Sequence, residues 1–488
     1  MLRSLPLVAA CLLLCAAAQA QRITPKPIPM FAWSLAELSK DRPWMPSPYP
    51  NLTGFYWLTA GNVQDPLAAK KMTDQQPEGR RVIFDWDVYR LAYQHPEDKL
   101  TTAQGEQFTG PWWDHGLAAA EATYVAFFKA YQAAGGKLDY YLIDTEHSPA
   151  SEVNSPERWA AVAKDPRCQD LLTAMHLNSV ADIQNAKPFS FVWWRYSDYL
   201  SCQRYSRLYE VIRRYFPNVK ASDYGMGYHV PAQLMAWGET TDPGDIPGRT
   251  GCHVGTHQAP SLYGIITYMG AITVEGKPFG LGPFRSALYA SNILREALLC
   301  NPKIPLMPWV SWRGYVSDWE AEPRDKRPPY SSIGNTDYFQ EVFFHAALCS
   351  PDAILTWDPF RWQEKQDPTT LAQDKDLALL NDLDQQVNEL VGFSDRKTLV
   401  TAMIPAHQPF ILTGCVANGR SVWRLTPDPE QGPVELDKIR TSGNPLTFRL
   451  SNQTLTMPGA KIVTPEKQLS AVGYWIVGPA SLRPAITP

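Results

Sequence analysis

Leu138-Asp139-Tyr140-Tyr141-Leu142-Ile143-Asp144-Thr145-Glu146-His147 is an apolar run that ends in two acids. The run shows little polar alternation, as a strand covered on both faces does, and such strands belong to parallel sheets. Asp144 and Glu146 lie two residues apart, so an extended chain puts them on one side, with Cα atoms about 6.6 Å apart. Seven further segments have the same form: Met30–Ser34, Gly54–Thr59, Arg81–Trp86, Val219–Tyr224, Leu262–Tyr268, Ile304–Ser311 and Ala353–Trp357.

Helix-period stretches separate many of these runs. Leu117, Tyr124, Val125, Phe128 and Tyr131 share one helix face, and Gly135-Gly136 supplies a C-terminal stop. Further helices are predicted over Tyr199–Phe216, Pro283–Cys300, Tyr338–Cys349 and Asp376–Val391, with Pro283 suited to a first turn and Gly392 to an exit. Eight strands with interleaved helices predict an α/β protein built on a (β/α)8 TIM-type barrel. The Gly/Pro-rich stretch from Pro243 to Pro260 reads as a long functional loop.

After Gly392 the pattern changes. Thr398–Ile404, Phe410–Val416, Ser421–Leu425, Leu446–Leu450 and Gly473–Val477 are short runs divided by turn signals such as Ala417-Asn418-Gly419. They predict a small antiparallel β-sandwich over 396–488, following a barrel domain over 21–395. Residues 1–20 have the form of a secretory signal: Arg3, an apolar run from Leu5 to Ala18, and a small-x-small site at Ala18-Gln19-Ala20. The run is too short to span a bilayer comfortably, which needs about 20 apolar residues. A secreted or periplasmic location is therefore expected. Beyond that segment lie Cys168, Cys202, Cys252, Cys300, Cys349 and Cys415, an even count compatible with up to three disulfides or with free buried thiols.

Composition narrows the functional classes. The 488 residues carry 45 basic and 49 acidic side chains, a net charge of −4, so no basic surplus exists to grip nucleic acid. An apolar fraction of 44% suffices for a large core. Aromatic residues reach 12%, and they gather with acids at predicted strand ends. Strand three ends Phe84-Asp85-Trp86-Asp87, strand five Asp223-Tyr224, strand seven Trp309-Val310-Ser311-Trp312, and strand eight Trp357-Asp358. Barrel active sites lie at the C-terminal ends of the strands. Aromatic faces stacking on sugar C–H groups, with carboxylates accepting from hydroxyls, would make a saccharide site there.

Two carboxylates held close repel, so one keeps its proton near neutrality. Glycosidic cleavage needs that pair: a donor for the leaving oxygen and an anion for the positive sugar centre. The expectation is that Glu146 acts as general acid/base and Asp144 as nucleophile or electrostatic stabiliser. Asp85, Asp87, Asp223, Tyr224, Trp312, Trp357 and Asp358 would line the subsites of a poly- or oligosaccharide. No nucleophile elbow, phosphate loop or dinucleotide fingerprint occurs. Cys252-His253 and His257 have ligand-like spacing and His147 follows the acidic pair, but a loop His-x3-His without helix context is a poor zinc motif, so neither metal nor cofactor is expected. The rival readings are a non-catalytic carbohydrate-binding barrel and a polysaccharide lyase with Tyr224 or His147 as base.

Asp139-Tyr140-Tyr141-Leu142-Ile143-Asp144-Thr145-Glu146 resembles the strand-four signature of chitinase-like family-18 glycoside hydrolases, Asp-Gly-x-Asp-x-Asp-x-Glu. Asp139, Asp144 and Glu146 fall on acidic positions of that signature, whereas Tyr140 replaces its glycine and Leu142 its middle acid. The resemblance implies that Glu146 is the proton donor and that Asp144 orients a substrate acetamide. More broadly the chain looks like a barrel-type glycoside hydrolase with a C-terminal β-domain. In many such enzymes the seventh strand carries the nucleophile. Here its nearest acids, Asp318 and Glu320, come later, in the following loop.

Overall fold

The computed structural model describes residues 27–32, 47, 49–86, 88–93, 95–144, 153–185, 191–223, 255–263, 273–274, 277–278, 283–311, 336–356, 375–392, 396–400, 402–405, 408–436, 445–451 and 453–487. The expected signal segment lies outside them. Up to residue 356 the strands are β1 (Met30–Ala32), β2 (Leu52–Gly54), β3 (Tyr56–Leu58), β4 (Val82–Asp85), β5 (Lys99–Thr101), β6 (Gln107–Thr109), β7 (Tyr140–Ile143), β8 (Lys220–Asp223), β9 (Ser261–Tyr263), β10 (Thr273–Val274), β11 (Lys277–Pro278), β12 (Trp309–Ser311) and β13 (Ile354–Thr356). The helices are α1 (Pro66–Thr73), α2 (Asp114–Ala133), α3 (Pro156–Val162), α4 (Cys168–Met175), α5 (Val180–Gln184), α6 (Phe191–Tyr215), α7 (Pro283–Cys300), α8 (Thr336–Leu348) and α9 (Lys375–Val391).

Two parallel ladders form an α/β architecture. One has the order β2-β1-β13-β12-β9 and the other β3-β4-β7-β8. The expected single strand Gly54–Thr59 is instead broken at Phe55. Its first half, β2, pairs with β1 and its second, β3, pairs with β4, so one run of chain serves both ladders. Among the described residues no ladder joins β8 to β9. The Ala221 carbonyl instead accepts from the amides of Thr256 (2.8 Å) and His257 (3.0 Å), and Ser222 Oγ donates to the His257 carbonyl.

Side-chain alternation explains the layers. Phe31, Phe55, Trp57, Val82, Phe84, Tyr140, Leu142, Met307, Trp309 and Leu355, drawn from both ladders, form one buried cluster. Phe31 meets Tyr140 edge-on at 4.7 Å between centroids, and Phe84 meets Trp309 at 5.9 Å, so the ladders face each other across this core. The alternate residues point the other way. Met30, Leu52, Val310 and Ile354 pack with α7, α8 and α9. Tyr56, Ile83, Tyr141, Ile143 and Ala221 pack with α2 and α6. The segments after β4 and β7 build a fourth cluster, in which Phe108 and Trp112 meet Val153, Trp159, Leu171 and Ile183. No helix among the described residues is long and apolar enough to cross a membrane.

The C-terminal part adds β14 (Lys397–Thr398), β15 (Phe410–Ala417), β16 (Arg420–Pro427), β17 (Glu435–Leu436), β18 (Leu446–Leu450), β19 (Gln453–Met457), β20 (Lys461–Val463), β21 (Tyr474–Pro479) and β22 (Ala485–Thr487). They make two antiparallel sheets, β14-β15-β16-β21-β20 and β17-β18-β19-β22. Phe410, Trp423, Leu425, Phe448, Leu455 and Ile476 fill the space between them. The turn at Asn418-Gly419 has both residues at positive φ, 52° and 73°, as a tight hairpin demands.

This β-domain is fastened to α8 through buried polar groups. The Glu341 carboxylate accepts from Arg424 Nε (2.8 Å), Arg424 Nη2, Thr426 Oγ1 (2.5 Å) and Ser470 Oγ (2.6 Å). Burial by itself would raise the Glu341 pKa, but the Arg424 charge, then the Arg424 hydrogen bonds, with smaller help from His345 and Ser470, hold it below the usual carboxylate value. Nearby, Asn292 exchanges hydrogen bonds with the Ile404 backbone at 2.8 and 2.9 Å. Cys168, Cys349 and Cys415 are free buried thiols, which excludes a three-bridge disulfide framework.

Candidate functional site at the C-terminal ends of the strands

Asp144 follows β7 directly. Its amide donates to the Asp85 carbonyl at 2.9 Å, so the chain is still extended and still paired with β4 when it reaches this acid. Tyr140 and Leu142 lie in the core between the ladders. Alternation therefore puts Asp144 in the same inward row, where it is almost fully buried.

Trp86 holds the matching position one strand away. Its amide donates to the Leu58 carbonyl at 2.9 Å, and its ring packs on the inner core as a partly buried side chain. The ring lies 5.0 Å from Trp57 and 6.3 Å from Phe84. A carboxylate thus emerges beside an indole, over a floor of Trp57, Phe84 and Trp309. Flat apolar faces with few polar groups suit a saccharide ring, whose C–H faces stack and whose hydroxyls donate.

Asp85 has a different place from the one expected. Along β4 the side chains of Val82 and Phe84 face inward, so Ile83 and Asp85 face the helices. The buried Asp85 carboxylate accepts from the hydroxyls of Tyr124 and Tyr141 (3.0 Å), and from the Val88 amide at 2.9 Å. Burial, with the Asp85 charge second, pushes the Tyr141 hydroxyl pKa well up, so it stays a donor. Asp85 is therefore a correction to the sequence reading: it does not line the mouth. The two tyrosines that hold it gave no signal beyond their helix and strand periodicity.

Asp223 ends β8, where its Cα pairs with Ile143. Glu146, Asp87, Tyr224, Trp312, Trp357 and Asp358 lie outside the described residues, as do His147, Cys252, His253, Asp318 and Glu320. Among the described residues no group of three or more His, Cys, Asp or Glu side chains could hold a metal ion.

The opposite, N-terminal ends of the strands carry a polar cluster that sequence reasoning missed. Asp352, just before β13, meets Lys220 Nζ at 3.0 Å and His257 Nε2 at 2.9 Å. Lys220 also reaches the Tyr140 hydroxyl at 3.3 Å. The His257 hydrogen bond, then the Lys220 charge, holds the Asp352 carboxyl well below the usual range. His257 thus ties strands together where, among the described residues, no ladder joins β8 to β9. Only the fold brings residues 220, 257 and 352 together, so no local pattern could have shown it.

No protein-family model matches the chain, and neither does any curated protein. Among solved structures it is similar to a conserved exported protein from Bacteroides fragilis, with 9% identity and a TM-score of 0.36, covering 96% of this chain and 99% of that one. It is also similar to an α-amylase from Lactobacillus plantarum, with 12% identity and a TM-score of 0.35, covering 86% and 80%. A glycoside hydrolase family 30 subfamily 8 xylanase from Clostridium acetobutylicum has 12% identity and a TM-score of 0.32, covering 95% of each chain. Likeness this distant assigns neither family nor activity.

Proposed function

We propose that the two ladders are halves of one eight-stranded (β/α)8 ring, and that the chain is an exported enzyme whose C-terminal mouth hydrolyses glycosidic bonds of a poly- or oligosaccharide. One observation carries this reading. Asp144 extends the inward row of Tyr140 and Leu142 beyond the last rung of β7, beside Trp86 and above an aromatic floor.

Glu146, two residues further on, is the proton donor to the leaving oxygen in this proposal. Asp144 stabilises or captures the positive sugar centre, and its negative charge holds the proton on Glu146 until the bond breaks. Water then attacks C1, with Glu146 accepting its proton. Trp57 and Trp86 give the sugar its stacking surface. Asp87, Asp223, Tyr224, Trp312, Trp357 and Asp358 belong to the proposed subsites on their strand-end sequence positions alone. The apolar start of the chain and its Ala18-Gln19-Ala20 site support export.

The test is product analysis with soluble xylan, amylose, β-glucan and chito-oligosaccharides, reading reducing ends. Wild-type protein should release new reducing ends from one member. Glu146→Gln should lower turnover about 10²- to 10⁴-fold while binding persists. Full activity in that variant, or a glycan bound and returned intact by the wild type, refutes the hydrolase reading. Ultraviolet absorbance from an unsaturated product would point to a lyase instead.

A further inference from the structure

We propose that Asp85 is a positioning residue: anchored on the helix side of β4, it sets the inward aim of Trp86 and Asp144 at the mouth. Its value for catalysis rests on the glycosidase reading above; its positioning action does not. Three elements hold its carboxylate: Tyr124 from α2, Tyr141 from β7 and the Val88 amide from the turn after β4. The Asp85 carbonyl in turn accepts the Asp144 amide at 2.9 Å. One residue therefore grips the helix layer with its side chain and the Asp144 backbone with its main chain.

Alternation transmits the grip. With Asp85 fixed outward, the next residue must turn inward, and Trp86 does so, with its ring 5.0 Å from Trp57. The Trp86 amide is fixed on the Leu58 carbonyl, so the residue is tied on both sides. Across the rung, holding the Asp144 amide directs its side chain into the row of Leu142. Stability alone does not explain an acid here. The neighbouring outward positions, Ile83 and Ile143, are filled by isoleucine and pack on the same helices. A buried carboxylate needs three donors to offset its desolvation, whereas an aliphatic side chain needs none.

The experiment uses full-length protein labelled with 5-fluorotryptophan, the Trp86 ¹⁹F resonance being assigned by Trp86→Phe. The variants are Tyr124→Phe with Tyr141→Phe together, which remove two hydroxyl donors and no ring, and Asp85→Asn, which keeps shape and reverses one contact. Asp85→Asn decides the matter should the double variant fail to fold. The expected result is a shifted or broadened Trp86 resonance in folded variants. On the responsive polysaccharide kcat should fall about 10- to 100-fold, with KM within about twofold, because misaligned groups cost rate more than binding. An unmoved Trp86 resonance and unchanged kcat, with only the melting temperature lowered, would make Asp85 a plain structural anchor and overturn the proposal. Should the wild type cleave no member of the panel, the hydrolase reading falls, and the Trp86 resonance alone then decides whether Asp85 positions the mouth.

Discussion

Replacing His345 by glutamine should change how stability depends on pH, and the size of the effect follows from its surroundings. His345 is fully buried between α8 and the β-domain, with Nδ1 2.8 Å from Thr413 Oγ1 and Nε2 2.9 Å from Thr426 Oγ1. Thr426 gives its hydroxyl proton to Glu341, so its oxygen accepts from His345 Nε2–H, and Nδ1 accepts from Thr413. The ring is thus neutral and both nitrogens are used. Burial, aided by the Arg295 and Arg424 charges and opposed by Glu341, lowers its pKa from 6.5 to about 3. A depressed histidine gives stability that is fully present above the unfolded value and lost as pH falls toward the folded one. Between pH 7 and 4.5 the unfolded chain takes up a proton that the folded chain refuses, a loss of about 3 kcal/mol.

Asp384 opposes this trend. It is buried, accepts from the Ile28 amide at 3.2 Å and Asn51 Nδ2 at 2.8 Å, and desolvation raises its pKa from 3.8 to about 6. A raised carboxyl contributes stability at low pH that disappears as pH climbs through the folded value, again about 3 kcal/mol at full extent. The wild-type curve should therefore be flatter than either group alone would make it. The assay is urea unfolding of wild type and His345→Gln from pH 7 to 4.5, read as the difference between them. That difference should move by about 3 kcal/mol toward the variant as pH falls. A constant difference across the range would refute the buried neutral ring.

Three further outcomes follow from packing. Glu341→Ala leaves the buried Arg424 guanidinium without its carboxylate and should cost about 3–5 kcal/mol in urea unfolding; an effect under about 1 kcal/mol would show that the interface does not depend on the pair. Asp384→Asn should stabilise the protein at pH 8 but not at pH 3.5, since it removes a charge that burial penalises only above about pH 6; equal effects at both pH values in thermal melts would count against it. Gly116→Ala would set a Cβ 2.0 Å from the Ala92 carbonyl oxygen. Backbone on both sides must then shift, so a loss of about 2–3 kcal/mol is expected, and an unchanged melting temperature would contradict the packing of α2 on the turn after β4.

Each of the eight expected parallel runs overlaps a strand of the two ladders, though Leu262–Tyr268 does so only at its start and continues outside the described residues, and Pro283–Cys300 is helical over its whole predicted length. These elements were legible because their signals are local: apolar runs too short for helices, a first-turn proline, a glycine exit. The break at Phe55 was not, because Gly54–Thr59 reads as one strand, and only the presence of two different neighbours divides it. Strands β19, β20 and β22 were missed for a related reason. Gln453–Met457 and Lys461–Val463 carry few buried residues, and Ala485–Thr487 is exposed throughout, so they hold their form by hydrogen bonds to β18, β21 and β19.

The acids at strand ends show the division most clearly. That Asp85 and Asp144 close apolar strands is written in the order of residues. Which side each acid takes depends on parity counted from a core that exists only once two ladders face each other. Asp144 shares its parity with Tyr140 and Leu142 and turns inward; Asp85 shares its parity with Ile83 and turns to the helices, where two tyrosines meet it. Sequence by itself determined the alternation, because a strand's pleat sends successive side chains to opposite faces. Tertiary structure decided which face is the interior, because burial is a property of what packs against the strand and not of the strand alone.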